Sequence, residues 1–213
     1  MTHPGFFLVL EGPEGAGKST LAASLASRLR EQGQEPLLVR EPGGTPLAEA
    51  IRASLLDPAL LHDGPTELLY FATARADLVG RVIRPALAAG RVVISDRFTL
   101  STEAYQIGGR GVRPELVRDV NAIATEGLRP DLTLVLDLPA EEGTRRQALA
   151  GKSADRMERE DAAFHRRVAE WYLGAEGLGV RHLDASRSAA EVLAAAWVEC
   201  RAARPTAFGP APR

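Results

Sequence analysis

The sequence predicts an α/β fold built on a mostly parallel sheet, and three observations lead there. Short apolar runs of strand length alternate with longer stretches of helical pattern. The runs are apolar along most of their length, as strands covered on both faces are. The gaps between them are long enough for helical crossovers.

The strands read from these runs are Phe6–Glu11, Pro36–Arg40, Arg91–Ser95, Leu132–Leu138 and Val180–Leu183. After the first comes Gly12-Pro-Glu-Gly-Ala-Gly-Lys18-Ser19, which fits the phosphate-binding pattern G-x-x-x-x-G-K-S/T at every fixed position. A helical pattern over Leu21–Leu29 follows, so the motif sits in the strand–loop–helix context that it needs. Glycines let the loop turn its N–H groups inward toward an anion, and a helix N-terminus adds partial positive charge. Lys18 is placed to reach β- and γ-phosphates and Ser19 to offer a hydroxyl to Mg²⁺. These residues predict a nucleoside triphosphate site.

Asp63-Gly-Pro65-Thr-Glu67 offers a cap, a proline in the first turn and an acid near the positive end of a helix. That helix is expected to run toward Pro85, where a kink or stop is due. Pro114 opens a further helix that Gly127 closes, and Ser188-Ala-Ala-Glu191 has capping-box spacing ahead of an alanine-rich helix. The last residues, Arg204–Arg213, hold three prolines and little to bury, and are expected to be disordered or loosely attached.

A chain of 213 residues with 45% hydrophobic content has room for one large core. The net charge of −2 gives no electrostatic case for nucleic acid. The single cysteine, Cys200, excludes an internal disulfide and most structural zinc sites, and is read as a small apolar residue of the last helix. With no apolar run of 18 residues and no signal-peptide pattern, the expectation is a soluble cytoplasmic protein with no membrane partner.

A phosphate loop alone allows kinases, switches and motors. Val92-Val-Ile-Ser-Asp96-Arg97 ends a strand in an acid and a base. Beside a phosphate loop, Asp96 suits the Mg²⁺ shell and Arg97 suits a phosphate, the alternative being a surface pair. Phe71 and Arg75 share a helix face, fit to stack on a base and bond its edge. Spacing alone favours a core phenylalanine and an exposed arginine. Thr99–Gln106 is rich in polar groups, and Gln106 both donates and accepts, as a pyrimidine edge requires. Arg145, Arg146, Lys152 and Arg156 follow the fourth strand, fit to close over a transferring phosphoryl group or to form a solvated basic segment.

Together these segments resemble the bacterial thymidylate kinases. The resemblance covers about residues 5–200. It rests on Glu11-Gly-Pro-Glu-Gly-Ala-Gly-Lys-Ser-Thr20, Arg40-Glu-Pro-Gly-Gly-Thr45 with Arg52, and Leu69-Tyr-Phe-Ala-Thr-Ala-Arg75. It continues through Ser95-Asp-Arg-Phe98, Ala104-Tyr-Gln106, Gly108-Gly-Arg-Gly111, Asp155-Arg-Met-Glu158 and Leu183-Asp-Ala-Ser186. The resemblance implies a three-layer α/β/α fold of the P-loop NTPase type. Its sheet would have five parallel strands, in a single kinase domain over residues 1–204 with a short lid at about 145–158. The implied reaction is ATP + dTMP → ADP + dTDP with Mg²⁺, in dTTP biosynthesis, by a homodimer.

By the same resemblance ATP would lie on Gly12, Glu14, Gly15, Ala16, Gly17, Lys18, Ser19 and Thr20, with Asp184 and Ser186 bordering its adenine. Phe71 would stack on thymine while Arg75 and Gln106 read its edge, with Thr102 close by. Arg52 and Arg97 would hold the acceptor phosphate, Glu14 would reach the acceptor's sugar, and Tyr105 would crowd the 2′ position. Ser19 and Asp96 would hold the metal. One branch of the family carries an arginine after the loop acid. Gly15 stands there instead, which puts the catalytic cation in the lid, Arg156 first and Arg146 second. The alternatives are a kinase for another nucleotide or for a nucleoside, and a P-loop ATPase or switch acting through a protein partner.

Overall fold

Five strands, β1 (Phe6–Glu11), β2 (Leu37–Arg40), β3 (Val92–Asp96), β4 (Leu132–Asp137) and β5 (Val180–Asp184), pair in the order β2-β3-β1-β4-β5, all parallel. The computed structural model describes residues 4–60, 62–149 and 155–209. The helices are α1 (Lys18–Glu31), α2 (Pro46–Leu56), α3 (Gly64–Leu78), α4 (Arg84–Ala88) and α5 (Thr99–Thr102). They continue as α6 (Pro114–Thr125), α7 (Ala140–Leu149), α8 (Ala162–Leu173), α9 (Ala189–Ala203) and α10 (Pro205–Phe208).

Alternation along β1 builds the three layers. Phe6, Leu8 and Leu10 pack with Leu21, Leu25 and Leu29 of α1 and with Trp197 of α9. Phe7 and Val9 face the other way, onto Leu78, Val79 and Ile83. Each fully buried leucine or phenylalanine contributes about 2 kcal/mol. The two outer strands depart from the expectation of cover on both faces. β2 alternates between half-buried and exposed positions, and in β5 Arg181, His182 and Asp184 are exposed. Both lie at sheet edges, where one flank has no neighbouring strand.

The helix signals read from the sequence hold. Asp63 accepts from the Thr66 N–H at 2.8 Å, and Ser188 with Glu191 forms a reciprocal capping box. At Pro85 the chain neither stops nor breaks. A π-helical segment, Val79–Ile83, joins α3 to α4, and the Arg84 N–H reaches back to Val79 O. The wider turn absorbs the mismatch that a proline without an N–H creates in an α-helix. A second π-helical segment, Glu103–Gly109, follows α5 directly.

The expectation of a loose tail needs correction over Pro205–Phe208. These residues form α10, and Phe208, 0% exposed, packs edge-on against Phe6 and Trp197. Apolar surface left by β1 and α9 is enough to bind one more aromatic ring. Residues 210–213 lie outside the described residues.

Every strand ends in a charged residue: Glu11, Arg40, Asp96, Asp137 and Asp184. Register places Asp96 beside both Leu10 and Arg40, and Asp137 beside Asp184. The carboxyl edge of a parallel sheet is where ligands bind in such folds, and here it is the edge that carries charge.

Candidate active site

The glycines of the loop are required by geometry. Gly12, Gly15 and Gly17 all have positive φ, at 137°, 75° and 89°. A Cβ on Gly12 would lie 2.6 Å from Leu136 O, and one on Gly15 would collide with Gly143 O of α7. The position that holds arginine in the other branch therefore has neither the space nor the backbone for a side chain here. The first turn of α7 packs directly over the loop.

Lys18 is buried and donates to Gly12 O at 3.0 Å and Pro13 O at 2.8 Å, so it closes the loop on itself. Burial, then Arg97, pushes its pKa down to about 8. Ser19 Oγ lies 2.5 Å from Asp96 Oδ2, which joins the loop to the end of β3. A cleft of about 730 Å³ opens here. Gly15, Gly17, Lys18, Ser19 and Thr20 of the loop line it, and so do Arg52, Phe71, Arg75 and Thr102. Glu14, Asp96, Arg97 and Tyr105 also line it.

Arg97, the residue after β3, has φ 78°, in the left-handed region. Its Nη2 donates to Glu14 Oε1 at 2.5 Å, and the Tyr105 hydroxyl donates to the same oxygen at 3.0 Å. Burial pushes the Glu14 carboxyl up, but Arg97 and then Lys18 outweigh it and hold its pKa at about 2. Burial opposes charge on Arg97 too, yet Glu14 together with its other neighbours more than compensates, and the guanidinium stays protonated. Burial pushes the Tyr105 phenol up, so it acts as a neutral donor.

Arg75 is buried and almost fully committed. It donates from Nε to Glu41 Oε2 at 2.8 Å, from Nη1 to Asn121 Oδ1 at 2.6 Å and from Nη2 to Phe98 O at 2.9 Å. Burial raises the Glu41 carboxyl while Arg75 pulls it back. Two polar atoms in the cleft wall, Glu41 Oε1 and Thr102 Oγ1, are buried with no hydrogen-bond partner among the described residues. Unpaired groups of this kind cost about 1–3 kcal/mol each and mark where a ligand or water completes the wall. Arg52 faces the cleft and donates to Pro42 O at 3.0 Å.

Several expected residues are placed otherwise. Gln106 is 0% exposed, does not line the cleft and donates its amide to Glu67 at 3.0 Å. Arg156, the first choice for the lid cation, also stays out of the cleft. It donates to Leu55 O at 2.8 Å and to Glu67 Oε1 at 2.6 Å, and is 8% exposed. The reason is Glu67, a buried acid on α3 that Arg110, Arg156 and Gln106 together satisfy. Burial would raise its carboxyl, and these hydrogen bonds more than offset that. Arg146 does line the cleft, and it donates to Glu142 at 2.8 Å and to Ala185 O at 3.0 Å. Asp184 and Ser186 bond each other at 2.5 Å on an exposed turn and do not line the cleft. Ala16 is buried beneath the loop and its N–H reaches Pro13 O at 3.4 Å. Lys152 lies outside the described residues.

Sequence reasoning missed Glu11, Glu41 and Glu67, all buried acids. The available signal was position: Glu11 and Glu41 close or follow strands that lead to the carboxyl edge. Glu67 had only its place in the first turn of α3, which reads equally well as a cap.

A model of the thymidylate kinase family matches residues 10–196. A thymidylate kinase of Ectopseudomonas mendocina (strain ymp) is 51% identical over 197 residues, covering 89% of this chain and 92% of the relative. One of Pseudomonas putida (strain GB-1) is 54% identical over 172 residues, at 79% and 80% coverage. One of Thermomicrobium roseum (strain ATCC 27502 / DSM 5159 / P-2) is 48% identical over 167 residues, at 78% and 79%. A match of this length and identity means that the chain belongs to the thymidylate kinase family.

Proposed function

We infer that this enzyme transfers the γ-phosphoryl group of ATP to dTMP, forming ADP and dTDP. One observation carries the reading. The phosphate loop and the aromatic–arginine wall line a single continuous cleft, and Asp96 and Arg97 belong to that same lining. A donor phosphate on the loop and an acceptor phosphate on Arg97 would then meet inside it.

The acceptor phosphate is already ionised, so the reaction needs positioning and charge stabilisation more than a strong base. We assign Lys18 and the loop amides to the donor phosphates, and Arg97 with Arg52 to the acceptor phosphate. Phe71 would stack on thymine. Arg75 would bond the base edge with the Nη1 hydrogen left over from Asn121, and Thr102 Oγ1 is free to join it. Glu14 holds Arg97 through the edge that a phosphate would use, so acceptor binding must move that carboxylate toward the sugar. Tyr105, bonded to Glu14, would crowd a ribose 2′ position.

The metal fits. Ser19 Oγ and the Asp96 carboxylate are hard oxygen donors at one point of the loop. Mg²⁺ held there would help to neutralise the negative charge of the donor phosphates during transfer. Arg146 takes first place as the cation closing over the transferred group, in a lid of about residues 145–158, since it already lines the cleft. Asp184 and Ser186 remain the proposed border of adenine. Arg146 links the cleft to their turn through Ala185 O.

Among the described residues no helix is long and apolar enough to cross a membrane. We place the activity in the cytoplasmic supply of dTTP, with no nucleic-acid partner. The homodimer is a further proposal, supported by exposed Leu69 on α3 and Ile123, 77% exposed, on α6. A monomer in sedimentation at micromolar concentration would remove it.

An acceptor panel tests the function. ADP formation is measured with Mg-ATP and dTMP, dUMP, UMP, dCMP, dGMP, AMP or thymidine. Strong preference for dTMP is expected. Equal rates with every acceptor, or with none, would sink the assignment.

A further inference from the structure

Glu11 has no part in the mechanism above, yet it is a wholly buried carboxylate at the end of β1. Four donors converge on it. Oε1 accepts from the backbone N–H groups of Phe98 at 2.8 Å and Ser101 at 3.1 Å. Oε2 accepts from Ser101 Oγ at 2.5 Å and from the Tyr172 hydroxyl at 3.3 Å. The two hydroxyls lie 2.8 Å apart. Both then meet Arg97, whose Nη1 donates to Ser101 Oγ and to Tyr172 OH, each at 3.0 Å.

Proton accounting makes this arrangement directional. A guanidinium has only donors, and a hydroxyl has one proton and two lone pairs. Ser101 and Tyr172 can accept from Arg97 only when their own protons point elsewhere. An ionised Glu11 has no proton to give: it draws the Ser101 proton at 2.5 Å, and the Tyr172 proton is directed to Ser101 Oγ at 2.8 Å or to Glu11 at 3.3 Å, so neither points at Arg97. The hydroxyl lone pairs are thereby turned toward Nη1. With Nη1 held, Nη2 faces Glu14 and the cleft. The Arg97 backbone sits at φ 78°, a conformation that costs a non-glycine residue stability unless its surroundings hold it there.

We propose that Glu11, Ser101 and Tyr172 are positioning residues that aim Arg97 at the acceptor's phosphate. The relay rests on the dTMP reading and adds a dependence that reading lacks. Tyr172 is in the last turn of α8, the helix that follows the lid segment, so one hydroxyl ties that helix to phosphate recognition.

The test is a double-mutant cycle read as KM for dTMP at saturating Mg-ATP. Tyr172→Phe keeps the ring and removes the hydroxyl. It is expected to raise the KM for dTMP about tenfold in the otherwise unaltered enzyme, with the KM for ATP unchanged. In an Arg97→Ala background the same change is expected to alter the dTMP KM less than twofold, because the group it acts through is gone. Less than a twofold effect in the unaltered background, or the same factor in both, would overturn the relay. Should Tyr172→Phe lower the melting temperature sharply, Ser101→Ala goes through the same cycle with the same criteria. Absence of dTMP turnover in the unaltered enzyme would overturn the functional reading instead.

Discussion

Lys18 shows how a residue's surroundings set its range of use. Buried beside Arg97 and bonded to two loop carbonyls, it has a pKa of about 8 in the free enzyme. A lysine with a lowered pKa loses its charge as pH rises through that value, and its attraction for phosphate goes with it. Affinity for Mg-ATP is therefore expected to fall as pH rises above about 8. Titration calorimetry across pH 6–9.5 checks this, and constant affinity to pH 9.5 would contradict it. Lys18→Ala is expected to lower kcat by about 100-fold or more, as losing a cation at a transferring phosphoryl group does.

Arg146 and Arg156 separate by the same reasoning. Arg156 is committed to Glu67, so Arg156→Ala should cost about 2 kcal/mol of stability, as lost hydrogen bonds to a buried charge do. Arg146→Ala should lower kcat and leave the melting temperature nearly unchanged. Calorimetry beside steady-state kinetics distinguishes the two, and the reverse pattern would return Arg156 to the lid role.

At the scale of elements, the features that could be read in advance are those whose causes are local. The phosphate loop needs glycines, a lysine and a hydroxyl within eight residues, and all are adjacent in the chain. The α9 cap is equally local: Ser188→Ala should cost about 1 kcal/mol and change no KM. A shift in the ATP KM would mean that the cap also orders the neighbouring Asp184–Ser186 turn. The direction in which Arg156 points is not local. It depends on Glu67, 89 residues away, being buried without another full complement of donors. Gln106 is diverted by the same acid across 39 residues. Its amide suits a pyrimidine edge in isolation, but a buried carboxylate is the stronger acceptor. The passage through Pro85 likewise depends on a π-helical segment that no residue pattern specifies.

For the whole molecule, the core extends further along the chain than composition suggests. Phe208 completes the layer formed by β1, α1 and α9. Phe208→Ala should destabilise the protein by about 3 kcal/mol, as emptying a buried aromatic site does. Denaturant unfolding reads this directly, and a change under 0.5 kcal/mol would mean that α10 is detached in solution. At the other end of the sheet, Arg40 and Asp96, at the ends of β2 and β3, line the cleft that we assign to donor and acceptor together. The central claim is that a phosphoryl group crosses that cleft. Its most direct measurement is the fate of label from γ-³²P-ATP mixed with enzyme, Mg²⁺ and dTMP. Label is expected in dTDP, dependent on dTMP, with little released as inorganic phosphate. Label in inorganic phosphate at a rate indifferent to dTMP would contradict it.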